Sequence, residues 1–363
     1  TKFQRIEGHG VNMTAISEVS KLSWRAIEND YTLDQYEEEL EKIRKKKRNY
    51  TPWQVAIGAG FAGGGFCIQF GCDWVAFLYA SIAAILGMRL RQVCNESGLN
   101  HYMGIAISAF VATIIAWAST LLPAEWTSTP WHPLLACALF IVPGVPLINF
   151  VDDMLDNYIQ VGIVRAVNTL LMVAAMAFGI AFAVKLCHIE NFFPTISMVP
   201  HHQYWEYAIA AISAMGFSMI FNIQRRLLWV VAIGGIIAVC TRNFVNLGPS
   251  TDNIGLDMGL VIGSFSGAVL VSLIAIKAVH WFHVPNHVLT IPSVIPMIPG
   301  VLMYRMLFGI ININVQSIDQ VTPLMKAIES GVNSGLVIMC IALGVAIPNI
   351  FGRRFIASSK NKR

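Results

Sequence analysis

Charged side chains are scarce in this sequence. They make up 13% of its 363 residues, whereas hydrophobic residues make up 55%. A soluble domain of this size carries roughly twice that share of charge. A large part of the charge lies in residues 1–50, and long apolar runs follow. This composition excludes an ordinary water-soluble fold. It predicts an all-α integral membrane protein with a cytoplasmic segment over residues 1–50.

The sequence also lacks the motifs that mark disulfide frameworks, metal sites and common enzymes. The seven cysteines form no C-x-x-C pair, so we interpret them as packing residues. No H-E-x-x-H, Walker A or G-x-S-x-G motif occurs, so nothing supports an enzyme, a cofactor or ATP-driven transport within this chain. His280, His283 and His287 have a spacing seen in metal sites, but Pro285 interrupts any shared helix face. Zinc is therefore the less favoured interpretation.

The N-terminal segment is predicted to form two amphipathic helices that pack on the membrane domain. Thr32 and Gln35 fit a capping box. The apolar residues after it recur at helical spacing: Leu33, Tyr36, Leu40 and Ile43. A regulatory or ligand-sensing role is the alternative. The basic run at 44–48 stands directly before an apolar run, which favours the cytoplasmic flank of a membrane helix over a nucleic-acid partner.

Apolar runs of membrane-spanning length follow this segment. A helix needs about 20 predominantly apolar residues to cross a bilayer. We predict ten spans, at residues 53–71, 74–91, 101–122, 133–151, 158–185, 204–221, 227–241, 256–278, 288–307 and 327–350. They form a first transmembrane repeat at 51–190 and a second at 203–355. Residues 356–363 are predicted to form a cytoplasmic tail.

Lysine and arginine set the predicted orientation. The basic residues on one side are the run at 44–48, Arg89, Arg91, Arg225, Arg226, Lys277 and the group from Arg353 to Arg363. The loops on the other side carry few: Lys185, Arg242, Arg305 and Lys326. Because cytoplasmic loops are enriched in Lys and Arg, both termini are expected in the cytoplasm.

The two halves of the chain resemble each other in four segments that occur in the same order. The matched ranges are 53–57 with 205–209, 104–110 with 259–265, 143–145 with 299–301, and 167–169 with 332–334. Their offsets of 152, 155, 156 and 165 residues rise as loop insertions would make them. Five spans in each half would make the second half enter the membrane from the opposite side. We therefore predict an inverted repeat, as in many secondary transporters.

The fourth and ninth spans both contain helix-breaking residues. Pro143 and Gly144 interrupt the fourth span, and Pro299 and Gly300 interrupt the ninth. Unsatisfied backbone in lipid costs several kcal/mol per group, so a break is tolerated where it faces protein or a wet cavity. Freed backbone groups there can bind a carboxylate or a cation. We predict that the two discontinuous helices line a substrate site; a simple kink is the alternative.

Polar and ionisable residues follow the first break. They are the amide Asn149, the carboxylates Asp152, Asp153 and Asp156, and then Arg165 early in the fifth span. Ionisable groups at membrane depth are costly unless paired or hydrated, so an Asp–Arg pair is expected. The functional interpretation is a vestibule for protons or substrate. The alternative is that these groups cap a cytoplasmic loop.

Amides and hydroxyls occupy matched places one turn deeper. Asn168 and Thr169 in the first half correspond to Asn333 and Ser334 in the second. We predict that they contribute to substrate binding, although such groups often only bond neighbouring helices. Glu329, near the start of the tenth span, is a further titratable candidate.

Several of these runs together resemble the bacterial threonine/serine exporter family. The resemblance rests on 142–149, the Asp152/Asp153 pair, Gly162 and Arg165, and on 292–300 with Tyr304 and Arg305. It covers nearly the whole chain. In some bacteria the halves are separate subunits, and such a pair is linked to succinate export. Members usually also carry a helix with an acidic G-A-E-T-like motif that this sequence does not show, so no role of that helix is placed here.

The resemblance implies export driven by the proton gradient across the bacterial cytoplasmic membrane. The leading hypothesis is a proton-coupled exporter of threonine, serine or a similar amino acid. Its expected partners are this small polar solute, protons and membrane lipid, with a homo-oligomer left open. An exporter of a dicarboxylate such as succinate is a close alternative, and a passive channel a more distant one. An intramembrane enzyme is disfavoured.

Overall fold

The computed structural model describes residues 10–123, 125–189, 211–249, 254–311 and 321–360. These residues form α-helices joined by turns and short 3-10 helices, and they contain no strand. Helices α1 to α14 are, in chain order, Met13–Glu28, Leu33–Lys45, Pro52–Gln69, Trp74–Glu96, His101–Trp117, His132–Ala136, Gly144–Leu155, Ile159–Leu186, Ile212–Ile220, Leu228–Asn246, Leu260–Phe282, Asn286–Val294, Gly300–Ile311 and Val321–Lys360.

Six of the described helices are long and apolar enough to cross a membrane: α4, α5, α8, α10, α11 and α14. Two pairs, α6 with α7 and α12 with α13, meet the same criterion together but bend by 55° and 61° at their breaks. Counting each bent pair as one span gives eight. Helix α3 occupies the predicted first span, and the predicted sixth span lies only partly within the described residues. The all-helical, multi-pass architecture is therefore present, and the count of ten stays a prediction.

The N-terminal helices differ in how they pack. The predicted capping box is formed, because the Thr32 side chain accepts from the Gln35 amide and the Gln35 side chain accepts from the Thr32 amide. Helix α1 buries Met13 and Leu22, whereas α2 has no buried residue and leaves Leu33 73% exposed. The apolar stripe of α2 is thus only partly covered by the rest of the described chain.

A buried asparagine ties the N-terminal segment to the second half. Asn222 lies in the turn between α9 and α10 with a φ of 58° and is 4% exposed. Its Oδ1 accepts from the Asn49 amide, and its Nδ2 donates to Asn12 Oδ1, both at 2.8 Å. The Thr14 hydroxyl donates to the Asn222 carbonyl, and Arg225 donates to the Asn49 carbonyl at 3.0 Å. We call this group the Asn222 cluster.

Each helix from α3 to α8 has a counterpart six helices later. In the first half α3 contacts α4, α4 contacts α5, and α8 contacts both α5 and α7. In the second half α9 contacts α10, α10 contacts α11, and α14 contacts both α11 and α13. Contacts between the halves follow the same exchange: α3 meets α9, α7 meets α14, and α8 meets α13. These helix contacts are therefore the same when the two halves are exchanged.

The first helices of the two halves pack closely against each other. A Cβ atom on Gly58 would lie 2.8 Å from Met219 Cβ, and one on Gly216 would lie 2.6 Å from the Ala62 amide nitrogen. Small residues let membrane helices approach this closely and gain van der Waals contact. The glycines therefore allow α3 and α9 to form a tight seam between the halves.

Candidate functional site

The two Pro–Gly breaks have the same backbone structure, 156 residues apart. Each joins a three-residue 3-10 helix to a twelve-residue helix: Leu139–Ile141 to α7, and Ile295–Met297 to α13. In both, the glycine amide donates to the carbonyl two residues earlier, at 2.8 Å for Gly144 and 2.9 Å for Gly300. Pro143 has φ −77° and ψ 63°, the values of an inverse γ-turn. The matched breaks predicted from the sequence are thus present.

The breaks also lie against each other. A Cβ atom on Gly144 would lie 2.9 Å from Ile298 Cδ1, and one on Gly300 would lie 3.2 Å from Val142 Cγ2. Ile298 and Val142 are themselves 156 residues apart, so the two contacts are reciprocal. Each break lacks a side chain where the other half approaches, which brings the polar backbone of both turns to the interface between the halves.

An ion pair connects the helices after the first break. Arg165 on α8 pairs with Asp153 on α7, and its guanidinium also donates to the Asn149 carbonyl at 3.5 Å. The expected Asp–Arg contact therefore exists, with Asp153 as the carboxylate. Asp152 is half-buried and has a contact of its own, and Asp156 is exposed at the end of α7. What the pair contributes to transport stays a prediction.

Asn168 and Thr169 make hydrogen bonds within the first half. The Tyr102 hydroxyl donates to Asn168 Oδ1 at 2.6 Å, which links α5 to α8. The Thr169 hydroxyl donates to the carbonyl of Arg165 on its own helix at 2.7 Å. Both residues thus have the interhelical or intrahelical bonds that polar groups in membrane helices commonly form. Their role in substrate binding stays a prediction.

The second-half counterparts differ from them in environment. Asn333 is exposed on α14, whereas Ser334 is 3% exposed and its hydroxyl has no hydrogen-bond partner within the described residues. Glu329 is exposed one turn earlier. Helix α14 contacts α7 of the first half, which places Ser334 on a helix shared by both breaks.

A cavity of about 370 Å³ opens beside the second break. It is lined by residues 296–302, by the end of α3 and by the last turns of α10. Its polar lining residues are Gln69, Arg242, Asn243 and Asn246. The prediction that Arg242 lies in a loop is wrong, because α10 continues to Asn246. The apolar run ends near residue 241, but the helix continues through the polar residues that follow.

Arg242 organises two amides in this cavity. Its Nε donates to Asn243 Oδ1 at 3.1 Å, and its guanidinium donates to Gln69 Oε1 at 3.4 Å. Gln69 Nε2 and Asn243 Nδ2 are buried without a hydrogen-bond partner among the described residues. A buried donor without a partner costs about 1–3 kcal/mol.

A further repeat match in the sequence points to these residues. Arg242-Asn243 follows Arg91-Gln92 by 151 residues, close to the 152-residue offset of the first repeat match. As a repeat match, this dipeptide would place Arg242 inside a helix at the position equivalent to Arg91 on α4. Gln69 carries no comparable signal, because a single amide at the end of an apolar run is common.

A larger cavity of about 880 Å³ lies elsewhere, between the N-terminal helices and the α11–α12 turn. Its charged lining residues are Glu18, Lys21, Arg25, Glu39, Lys42 and Lys46. It shares no lining residue with either break. Its position therefore does not suggest a substrate path through the membrane helices.

Family comparisons agree with this architecture. A family model described as "Putative threonine/serine exporter" matches residues 1–187, and a second, described as "Threonine/Serine exporter, ThrE", matches residues 206–351. The chain belongs to the threonine/serine exporter family. Each family model thus covers one half of the chain, in agreement with the helix contacts that repeat between the halves.

Two relatives of this exporter family member carry the name "Probable succinate transporter subunit YjjP". The protein from Klebsiella aerogenes is 27% identical over 187 residues, which are 51% of this chain and 71% of the relative. The protein from Escherichia coli K12 is 27% identical over 186 residues, 51% of this chain and 72% of the relative. An uncharacterized protein from Haemophilus influenzae is 23% identical over 146 residues, 40% of this chain and 46% of the relative. No solved structure matches the chain.

Proposed function

We propose that this protein is a secondary active transporter that exports threonine, serine or a similar small amino acid from the bacterial cytoplasm. Membership of the exporter family supports the transport class. The observation that carries the mechanism is the reciprocal contact between the two Pro–Gly breaks. A scaffold or a passive anchor has no need of two matched discontinuous helices at one interface.

The proposed topology is ten spans in two inverted repeats of five, with both termini in the cytoplasm. The exchange of helix contacts between the halves supports it, because two units related by a two-fold axis make such contacts. The matched breaks support it at the level of individual hydrogen bonds. Inverted repeats of this kind place the substrate site near the bilayer midplane, at the repeat interface.

The proposed substrate site lies between the breaks. Backbone groups at the first turns of α7 and α13, beside Pro143–Gly144 and Pro299–Gly300, would hold the charged ends of the solute. Polar side chains from both halves would complete it: Asn149, Asn168, Thr169, Asn333 and Ser334. The Ser334 hydroxyl has no hydrogen-bond partner in the described part of the chain, which supports a contact made only when solute is present. Rocking one half against the other would open the site to each side in turn.

Proton coupling is proposed for the carboxylates near the first break. Asp153 is the first choice, since its pairing with Arg165 makes its protonation a switch between a bound and a released guanidinium. Asp152 and Glu329 follow. A proton on Asp153 would weaken the ion pair and allow α7 and α8 to separate, which would link proton entry to the movement of the first break.

Efflux from proteoliposomes tests the function. Vesicles that contain the full chain are loaded with labelled threonine, serine or succinate, and a pH gradient is imposed. We expect saturable efflux of at least one of the amino acids that the gradient accelerates. Asp153→Asn should remove the acceleration and leave exchange partly intact, whereas Glu96→Gln, an exposed carboxylate at the end of α4, should behave as wild type.

Export of a dicarboxylate is the second candidate function. The names of the Klebsiella aerogenes and Escherichia coli relatives favour it. Acceleration of succinate efflux alone would select this candidate. Flux that neither saturates nor responds to the gradient would contradict both candidates and would point to a channel.

A further inference from the structure

The side chain of Arg91 points toward the interior of the helix bundle. The opposite side of α4 carries a stripe of exposed apolar residues: Leu78, Ile82, Leu86 and Val93. At about 100° per residue, all four lie within about 40° of the direction opposite to Arg91. Ala84 and Gly87 are buried and lie within about 40° of Arg91 itself. Arg91 is half-buried and therefore faces away from the side of α4 that lipid would contact.

This inner face of α4 packs against the segment that leads into the first break. A Cβ atom on Gly87 would lie 2.9 Å from Phe140 Cζ. Phe140 belongs to the 3-10 helix Leu139–Ile141, which ends just before Pro143 and Gly144. Arg91 follows Gly87 by four residues, which is about one helical turn on the same face. The guanidinium thus lies on the side of α4 that the first break approaches.

Helix α4 ends on the same side of the molecule as the N-terminal segment. Its Gln92 Nε2 donates to the carbonyl of Pro52, the first residue of α3, at 3.1 Å. Arg91 lies five residues, or about 7.5 Å of helix, before Glu96 at the end of α4. With the N-terminus in the cytoplasm, as proposed above, a solute from the cytoplasm would meet Arg91 before it reaches the first break.

Arg91 has no counter-charge in the described part of the chain. Its side chain makes no hydrogen bond, ion pair or ring contact with the described residues. The equivalent Arg242 donates to Asn243 Oδ1 at 3.1 Å, but Gln92, the counterpart of Asn243, accepts from Arg89 instead. An inward-facing cation in a membrane bundle is costly and commonly marks the path of a substrate or an ion.

We propose that Arg91 binds the carboxylate group of the transported solute as it moves from the cytoplasm toward the first break. The proposal rests on the transport function proposed above and adds the residue and the chemical group that meet first. A guanidinium carries its donors in a planar fork that matches the two oxygens of a carboxylate. The ligand class is a small carboxylate, either an amino acid or a dicarboxylate.

Binding to the purified full chain in nanodiscs tests the contact. Isothermal titration calorimetry compares threonine, serine and succinate with their amides: threoninamide, serinamide and succinamide. We expect at least one acid to bind, and its amide to bind at least about tenfold more weakly, because a charged hydrogen-bonded contact is lost. Arg91→Gln should weaken binding of that acid at least about tenfold. Acid and amide that bind wild type alike would overturn the proposal.

A matched pair of lysine variants localises the contact. Arg91→Lys keeps the charge and removes the fork, so it should bind the acid more weakly than wild type and more tightly than Arg91→Gln. Arg89→Lys changes the same residue type on the same helix, where Arg89 lies 4.8 Å from the centre of the Trp53 ring. It keeps a donor for Gln92 and should bind as wild type. A loss in Arg89→Lys as large as in Arg91→Lys would overturn the assignment.

Thermal unfolding in detergent separates contact with the solute from a structural role. Arg91→Gln removes an unpaired interior charge, so it should melt at the wild-type temperature or above it. A lower melting temperature would mean that Arg91 holds the helices together, and it would overturn the proposal. If Arg91→Gln does not fold, the lysine pair carries the affinity test.

The failures of the two proposals are distinguishable. Unchanged acid binding in Arg91→Gln, together with saturable efflux by wild-type protein in proteoliposomes, would overturn the Arg91 contact and leave the transport function standing. Wild-type protein without saturable efflux of threonine, serine or succinate would overturn the transport function, and the Arg91 contact would fall with it.

Discussion

The Asp153–Arg165 ion pair joins α7 to α8 just after the first break. Asp153→Asn would leave a partly buried guanidinium without its counter-charge, and Arg165→Gln would leave the carboxylate. The side chains are 23% and 31% exposed, so solvent screens part of the cost. We expect each single variant to lose about 1–3 kcal/mol of stability. The double variant should recover much of that loss, and thermal unfolding in detergent measures all three.

Transport by the double variant then separates a structural role from a coupling role. If the pair couples protons, the double variant should fold but no longer respond to a pH gradient. A double variant with normal gradient-driven efflux would reduce the pair to a structural contact.

Asp73 gives the fold a dependence on pH outside the membrane helices. Burial raises the pKa of Asp73, but hydrogen bonds from the Ala76 amide, the Thr127 hydroxyl and the amides of Ser128 and Thr129 outweigh it and lower the pKa below its usual value. A lowered pKa stabilises the fold above the ordinary value of about 3.9, and this stabilisation is lost as the pH falls through the lower, folded-state pKa.

Asp73→Asn tests this dependence. The variant should melt at a lower temperature at neutral pH, by the equivalent of about 1 kcal/mol, because an amide NH₂ group replaces one of the carboxylate oxygens that accept these hydrogen bonds. Its difference from wild type should stay constant from about pH 7 to about pH 5 and should shrink as the pH falls below the ordinary pKa of about 3.9. Melting curves at a series of pH values measure this, and a constant difference across the series would contradict it.

At the residue scale, the sequence limited the candidate partners of a charged side chain but did not select among them. It offered three carboxylates for Arg165, and the choice of Asp153 depends on where α7 ends and how the chain turns into α8. Arg242 was misplaced because hydropathy marks the end of an apolar run, whereas a helix ends where its backbone bonds end.

At the scale of elements, the break interface depends on close packing. A Cβ atom on Gly300 would lie 2.6 Å from Leu139 Cδ2. Gly300→Ala should therefore cost about 1–3 kcal/mol through overpacking. Leu139→Val removes the clashing atom, so Gly300→Ala/Leu139→Val should be more stable than the sum of the two single changes predicts. Thermal unfolding of the cycle measures the coupling.

A matched control comes from Gly335 on α14. A Cβ atom there would meet no atom within 4 Å. Gly335→Ala should be neutral or stabilise by up to about 1 kcal/mol, because alanine is the better helix former. If Gly300→Ala behaves like Gly335→Ala, the breaks are less tightly packed than the structure indicates.

The break positions were predictable because a proline followed by a glycine inside an apolar run interrupts the helical hydrogen bonds wherever it occurs. The bends of 55° and 61° were not, since each depends on contact with the other half. Helix α14 also continues to Lys360, past the predicted boundary at residue 355. The change from apolar to basic residues marks a change of solvent and does not stop a helix.

At the scale of the whole molecule, the Asn222 cluster attaches the N-terminal segment to the second half. Asn222→Gly keeps the left-handed backbone and removes both side-chain hydrogen bonds. Their loss is worth about 1–2 kcal/mol, so trypsin should cleave the basic run at 44–48 about tenfold faster. Asn157→Gly, also left-handed but exposed in the α7–α8 turn, is the control. Equal cleavage rates in both variants would show that the cluster does not hold the segment.

Sequence periodicity did not indicate this attachment, because it joins residues about 210 positions apart.

The Asn222 cluster also breaks the equivalence of the two halves. The reciprocal breaks and exchanged helix contacts would give an inward-open and an outward-open molecule nearly equal energy at that interface. In the described chain the α1–α2 pair is attached at the α9–α10 turn, and Asp73 with residues 127–129 occupies the equivalent α3–α4 turn. For the alternating transporter proposed above, we expect the attached N-terminal helices to stabilise one of the two states and so to set its resting direction.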